Sequence, residues 1–149
     1  MLVQKTGDYD QILSLASLRC ADENEMLRRY QGLTFDLRSK ARALVAMNEY
    51  AANPAFHFWI AKEDTVVGYA MAKIKEDLLL CETVYVAPAH RNQKIGRQLV
   101  QAQLDFCKEQ GLGFRSIVLK ENLESIAMCK AAGLVVKTSI RDILIVSNN

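Results

Sequence analysis

The chain is short of punctuation. Only two prolines, Pro54 and Pro88, stand in 149 residues. No Pro-, Gly- or Ser-rich stretch marks a linker, and no repeat or low-complexity tract breaks the composition. A single domain over residues 1–149 is therefore expected. The cysteines Cys20, Cys81, Cys107 and Cys129 form no CxxC pair, which argues against a zinc site or a redox motif and predicts no metal. Buried or free thiols in a reducing compartment are the plainer reading. No apolar run is long enough to span a bilayer, and the opening MLVQKTGDYDQ carries charges where a signal peptide needs an apolar run. The cytoplasm is the expected compartment. A net charge of +2 is too small to call for a nucleic-acid or membrane partner. What remains is ordinary: 50% apolar and 24% charged residues, enough for one core.

Periodicity divides the chain into elements. Asp8 is placed to cap a first helix with Ile12, Leu15, Ala16 and Leu18 mostly on one face, which the run ADENE (Ala21 to Glu25) interrupts. A second helix is expected from about Phe35 to Ala51, with Leu37, Ala41, Leu44, Val45 and Asn48 at helical spacing. After Pro54 the period changes. Phe56 to Ala61 and Val66 to Ile74 are aromatic and β-branched and flank the turn-like Glu63-Asp64-Thr65, a hairpin signal. Both faces of these strands are apolar, so helices should cover the sheet on both sides. Leu78 to Val86 forms the next strand. Ile95 to Gln110 follows as a helix with Ile95, Leu99, Ala102 and Phe106 along one face, ended by Gly111 and Gly113. A strand from Phe114 to Leu119, a helix from Asn122 to Ala132 closed by Gly133, and strands at Leu134 to Val136 and Ile140 to Val146 complete an α/β pattern with one mixed sheet.

The chemistry is concentrated in Glu82 to Arg97, ETVYVAPAHRNQKIGR. A strand stops at Pro88 and a basic loop leads into a helix. Amide N–H groups at a helix start lack helical partners and the dipole behind them is positive, which makes an anion site. His90, Arg91, Lys94 and Arg97 add positive charge, and Gly96 permits close approach to the backbone. Like charge at a helix N-terminus opposes the dipole unless an anion compensates it. A diphosphate fits such a place.

The strand ending Val-x-Pro, followed by Arg91-Asn92-Gln93-Lys94-Ile95-Gly96, resembles the acetyl-CoA signature of the GNAT superfamily of N-acetyltransferases, Arg/Gln-x-x-Gly-x-Gly/Ala. Arg91 and Gly96 match, whereas Lys94 replaces the first glycine. Its side chain either crowds a pyrophosphate or offers an amine to a phosphate. A second region, Asn122 to Leu134, is similar to the family's Asn-x-x-Ala…Tyr-x-x-x-Gly-Phe helix, with Asn122 and Gly133 in place and Leu134 for the aromatic. Asn122 is equally a favoured helix N-cap. The resemblance implies a mixed, mostly antiparallel sheet of about six or seven strands flanked by about four helices. It also implies acetyl-CoA as co-substrate, held by Val84, Val86, Arg91, Asn92, Gln93, Lys94, Gly96, Arg97 and Asn122.

In this family pantetheine lies where the sheet splays beside the signature strand. Carried over, Val84 and Val86 offer backbone groups to that arm, and the Val86 N–H steadies the thioester oxygen. A primary amine of a small molecule or peptide attacks the acetyl carbon directly in a ternary complex. The amine must be neutral, so a base is useful. Glu82 matches the position of the family's base-like glutamate, and an ordinary charged strand residue is the competing reading. Cys129 stands where the family often has a tyrosine acid; a small buried hydrophobe is the competing reading there. Tyr69 and Tyr85 are read as core or pocket residues, His57 as a satisfied core or helix-facing histidine, and Trp59 as packing. Asp22, Glu23 and Glu25 lie in the region that in this family often borders the acceptor; a gate for a cationic amine and a solvated loop are the two readings. A homodimer through sheet edges or the last strand is an arrangement the resemblance allows. A non-catalytic acyl-CoA-binding or regulatory module on the same fold is the alternative function. Gly111-Leu112-Gly113 does not make a dinucleotide fingerprint, since it follows a helix and Ser116 holds the third glycine position.

Overall fold

The computed structural model describes residues 1–148. In chain order the elements are β1 (Leu2–Thr6), α1 (Tyr9–Ser14), α2 (Ala16–Gln31), α3 (Lys40–Ala52), β2 (Phe56–Lys62), β3 (Val66–Lys75), β4 (Leu78–Val86), α4 (Ile95–Gln110), β5 (Gly113–Leu119), α5 (Leu123–Ala131), β6 (Val135–Ile140) and β7 (Ile143–Ser147), with a 3₁₀ turn at Pro88–His90. The seven strands form one sheet in the order β1-β2-β3-β4-β5-β7-β6. Every pairing is antiparallel except β4 with β5, as expected for a mixed, mostly antiparallel sheet.

Alternation along the central strands gives the sheet two buried faces. On β2, Phe58 and Ile60 join Leu15, Met47 and Tyr69 under α1 to α3, while Trp59 and Ala61 join Leu99, Val100 and Phe114 under α4 and α5. Trp59 is packing, as read from the sequence, and His57 faces a helix, its ring 5.3 Å from that of Phe106. Burial, with Lys5 adding, lowers the pKa of His57.

Asp8 caps α1, its carboxylate accepting from the Gln11 N–H at 2.8 Å. The helix breaks at Leu15, which is fully buried, so the first of the four expected flanking helices is in two pieces. The expected interruption at ADENE is incorrect, because the run lies inside α2. Its polar groups are satisfied by tertiary partners. Asn24 is buried, and its amide accepts from the Arg38 N–H at 2.9 Å and donates to the Arg38 carbonyl at 3.1 Å. Glu23 lies 3.1 Å from both Arg19 and Arg38.

The second helix also differs from expectation. It starts at Lys40 because Ser39 caps it, accepting from the Arg42 N–H at 3.1 Å. Ala43 and Met47 are its buried residues, whereas Leu37, Leu44 and Val45 are exposed. Strand β1, absent from the sequence reading, is an edge whose pattern is mostly exposed and carries little periodic signal. At the C-terminus β6 is longer and β7 shorter than expected, and the two meet at a turn through Arg141 and Asp142.

Candidate active site

Strands β4 and β5 pair in parallel only from Leu78 with Gly113 to Cys81 with Ser116. Beyond that point they part. Glu82 is the extra residue at the parting: Met71 pairs with Thr83 and Ala72 with Cys81, which leaves Glu82 as a β-bulge. From Thr83 to Val86, β4 keeps β3 on one side and opens on the other. Ala87 donates its N–H to Val67 of the β3 side at 2.8 Å. Backbone groups alternate in direction along a strand, so those of Val84 and Val86 turn into the opening.

The opening is a cavity of about 480 Å³ walled by α2, β4, the loop before α4, the first turns of α4, β5 and α5. Such a volume suits a sizeable small-molecule ligand. Of the residues singled out from the sequence, Glu82, Val84, Val86, Arg91, Asn92, Lys94, Gly96, Arg97, Asn122 and Cys129 all line it. Gln93 is exposed and does not.

The loop is curled tightly. Asn92 and Lys94 both have left-handed backbones, with φ of 64° and 63°. Lys94 thus takes the backbone conformation that a glycine would adopt at little cost, and it is the N-cap of α4 without a side-chain capping bond. The first-turn amides of α4 are free by helical geometry and meet the cavity at Ile95, Gly96 and Arg97. Gly96 has a further cause. A Cβ there would lie 2.8 Å from the sulfur of Met128, so its smallness lets α4 approach α5.

Arg91 is committed to the protein. Its Nε donates to the Val86 carbonyl at 2.9 Å and its Nη2 to Glu25 at 2.8 Å. The guanidinium also lies over the Tyr85 ring at 5.4 Å. It therefore ties the loop to both β4 and α2. Asn122 caps α5, accepting from the Ser125 N–H at 3.2 Å, and lines the cavity as well. Cys129 is 4% exposed, and burial pushes its thiol up. All four cysteines are free, and burial pushes Cys107 up to about 11 and Cys81 up to about 12.

Sequence reasoning missed Met26 and Arg29 of the α2 wall, whereas Asp22 and Glu25, for which an acceptor gate was one of two readings, line the cavity. Burial pushes the Asp22 carboxyl up to about 7, Glu25 and Glu23 add to the rise, and Arg19 and Arg91 oppose it. The signal available in the sequence was the spacing of Asp22, Glu25, Met26 and Arg29, which share one helical face.

The acetyltransferase (GNAT) family model matches residues 23–134, most of the chain. The chain belongs to the GNAT family. Solved structures place this GNAT among known folds. The PaiA N-acetyltransferase of Thermoplasma acidophilum, in complex with coenzyme A, matches with a TM-score of 0.72 and 18% identity over 100% of this chain and 99% of that one. YncA of Salmonella typhimurium, a putative acetyltransferase with its cofactor acetyl-CoA, gives 0.73 and 16% over 99% and 92%. The ribosomal-protein-alanine N-acetyltransferase of Brucella melitensis gives 0.74 and 17% over 99% and 98%. No curated protein matches the chain in sequence. Among the described residues of this GNAT no acidic, histidine or cysteine group could hold a metal, and no helix is long and apolar enough to cross a membrane.

Proposed function

We propose that this GNAT transfers an acetyl group from acetyl-CoA to a primary amine by direct attack in a ternary complex. The observation that carries the reading is the parting of β4 from β5 next to the curled loop at the start of α4. An extended pantetheine arm finds the backbone groups of Val84 and the N–H of Val86 turned into the opening, and a diphosphate finds the free amides of α4 with Lys94 and Arg97 beside them. Arg91 occupies the Val86 carbonyl, which leaves the Val86 N–H for the thioester oxygen as charge develops on it. Much of the rate then comes from holding amine and thioester in line.

Cys129 stays protonated at neutral pH, but a thiol raised by burial is a reluctant donor. CoA thiolate departs with a proton shed by the attacking nitrogen, and Cys129 serves as cavity wall. Glu82 remains a candidate base at the bulge, exposed and lining the cavity.

The test is titration calorimetry with acetyl-CoA and with CoA lacking its 3′-phosphate, followed by thiol release with a panel of small amines and peptides. Substituting Arg91 would disturb β4 and α2 together, so Lys94→Ala and Arg97→Ala are the cleaner probes of phosphate binding. Micromolar binding weakened by these variants, with thiol release, supports the transferase. Binding without transfer to any amine marks a non-catalytic acyl-CoA module, and no binding at millimolar acetyl-CoA removes both.

A further inference from the structure

Three carboxylates crowd one stretch of α2, and the structure gives them different fates. Glu23 is held by Arg19 and Arg38, each at 3.1 Å. Glu25 is held by Arg91 at 2.8 Å. Asp22 has neither an ion pair nor a hydrogen bond among the described residues, although it is half-buried and lines the cavity facing β4. Its side chain is not sealed from solvent. Tyr69 is 0% exposed, and its hydroxyl sits beside Arg19 in the field of Asp22 and Glu23. One wall of the cavity thus presents an unpaired carboxylate.

Charged and titratable groups face Asp22 from every side. Arg19, Glu23 and Glu25 belong to its own helix, Tyr69 to β3, Tyr85 to β4 and Arg91 to the loop before α4. The arginines are each occupied by a glutamate, so their charge is largely cancelled locally. A cation entering the cavity meets a carboxylate with no competing partner. Glu82 differs, because it is exposed to water at the bulge.

We propose that Asp22 receives the ammonium group of the acceptor and takes its proton, which makes Asp22 the catalytic base and a cationic primary amine the substrate class. This rests on the acetyl-transfer reading. The ammonium gives one proton to the Asp22 carboxylate and becomes a neutral amine. Its nitrogen forms a bond to the acetyl carbon, and the carbon–sulfur bond breaks. A second nitrogen proton passes to the departing CoA thiolate, the third stays on the amide, and Asp22 returns its proton to water. A base with a pKa near the working pH serves such a step best.

The experiment compares wild type, Asp22→Asn and Glu82→Gln with two amines, butylamine and the weaker base glycinamide. Asp22→Asn is expected to leave the acetyl-CoA Kd within about twofold of wild type while lowering kcat/KM for butylamine at least about 100-fold. The loss should be smaller for glycinamide, which sheds its proton more readily. The fall in rate on the acid side of about pH 7 should move up toward the pKa of the acceptor amine in Asp22→Asn and stay near pH 7 in Glu82→Gln. Equal losses for both amines, or an acid limb whose midpoint stays near pH 7 in Asp22→Asn, overturns the proposal. Carboxyl-carbon NMR of the CoA complex gives an arm free of turnover. The Asp22 signal should titrate near neutrality and shift on adding butylamine; an ordinary carboxylate titration with no shift overturns the proposal. Failure of wild type to bind acetyl-CoA instead removes the transferase reading itself.

Discussion

At Asp22 a carboxylic acid is kept half out of water with no partner to steady its charge, and stability should register that arrangement. The folded pKa stands at about 7 and the ordinary value at 3.8. Between these the folded chain binds more protons than the unfolded one, so stability falls as pH rises through the window. Asp22→Asn removes this slope. It should be more stable than wild type by about 1–3 kcal/mol near pH 8, discounted for the solvent that still reaches the group. The two should converge below about pH 4, and urea melts across pH check it. Lys94 makes a second test. Its left-handed backbone costs about 1 kcal/mol in any residue with a Cβ, so Lys94→Gly should stabilise by that much and Lys94→Ala should not. If the amine grips a phosphate, both variants weaken acetyl-CoA to a similar extent in calorimetry. The Arg91–Glu25 pair is shielded on both sides, with side chains 30% and 22% exposed. A double-mutant cycle with Arg91→Ala and Glu25→Ala should return a coupling of about 1 kcal/mol.

The element that shapes the site is β4, and its alignment depends on contact with β3. Gly68 stands opposite Val86, and a Cβ on it would lie 2.8 Å from the Tyr85 carbonyl oxygen, a backbone atom that cannot swing aside. Gly68→Ala should therefore cost about 1–3 kcal/mol and tilt the strand that offers Val84 and Val86 to the cavity. A fall in melting temperature together with weaker acetyl-CoA binding is the expected pair of readings. Gly96 is the gentler case, since its obstacle is the sulfur of Met128 on a flexible side chain and Ala favours the helix. Helix α4 was legible in full, from Ile95 to Gln110, because it is long, strongly amphipathic and ended by Gly111 in a left-handed conformation. Helix α2 was not, because Asn24 and Glu23 find their partners in Arg38, beyond the reach of local pattern. In α3 the capping Ser39 was the overlooked signal, and the apolar residues Leu44 and Val45 that suggested its inner face lie outward.

For the molecule as a whole, acetyl-CoA that binds only the folded state should raise its stability. At a hundredfold excess over Kd the gain is about 2.7 kcal/mol, a rise of several degrees in melting temperature for a domain of this size. Scanning calorimetry with and without acetyl-CoA measures it. Local pattern already carried the mixed α/β class, the two-sided core of β2 and β3, the capped helices at Asp8 and Asn122 and the basic loop from Arg91 to Arg97. These are local facts, written in periods of two and 3.6 residues, in short-range caps and in the charge of a helix start. Contacts made in the folded chain set where β4 and β5 part, that Glu82 is a bulge, that Arg91 spans from loop to strand and helix, and that Asp22 is the unpaired acid of its run. Each of these depends on residues far apart in the chain meeting in space. Register, burial and ion pairing follow from that meeting, and a local pattern cannot encode which distant partner a side chain will find.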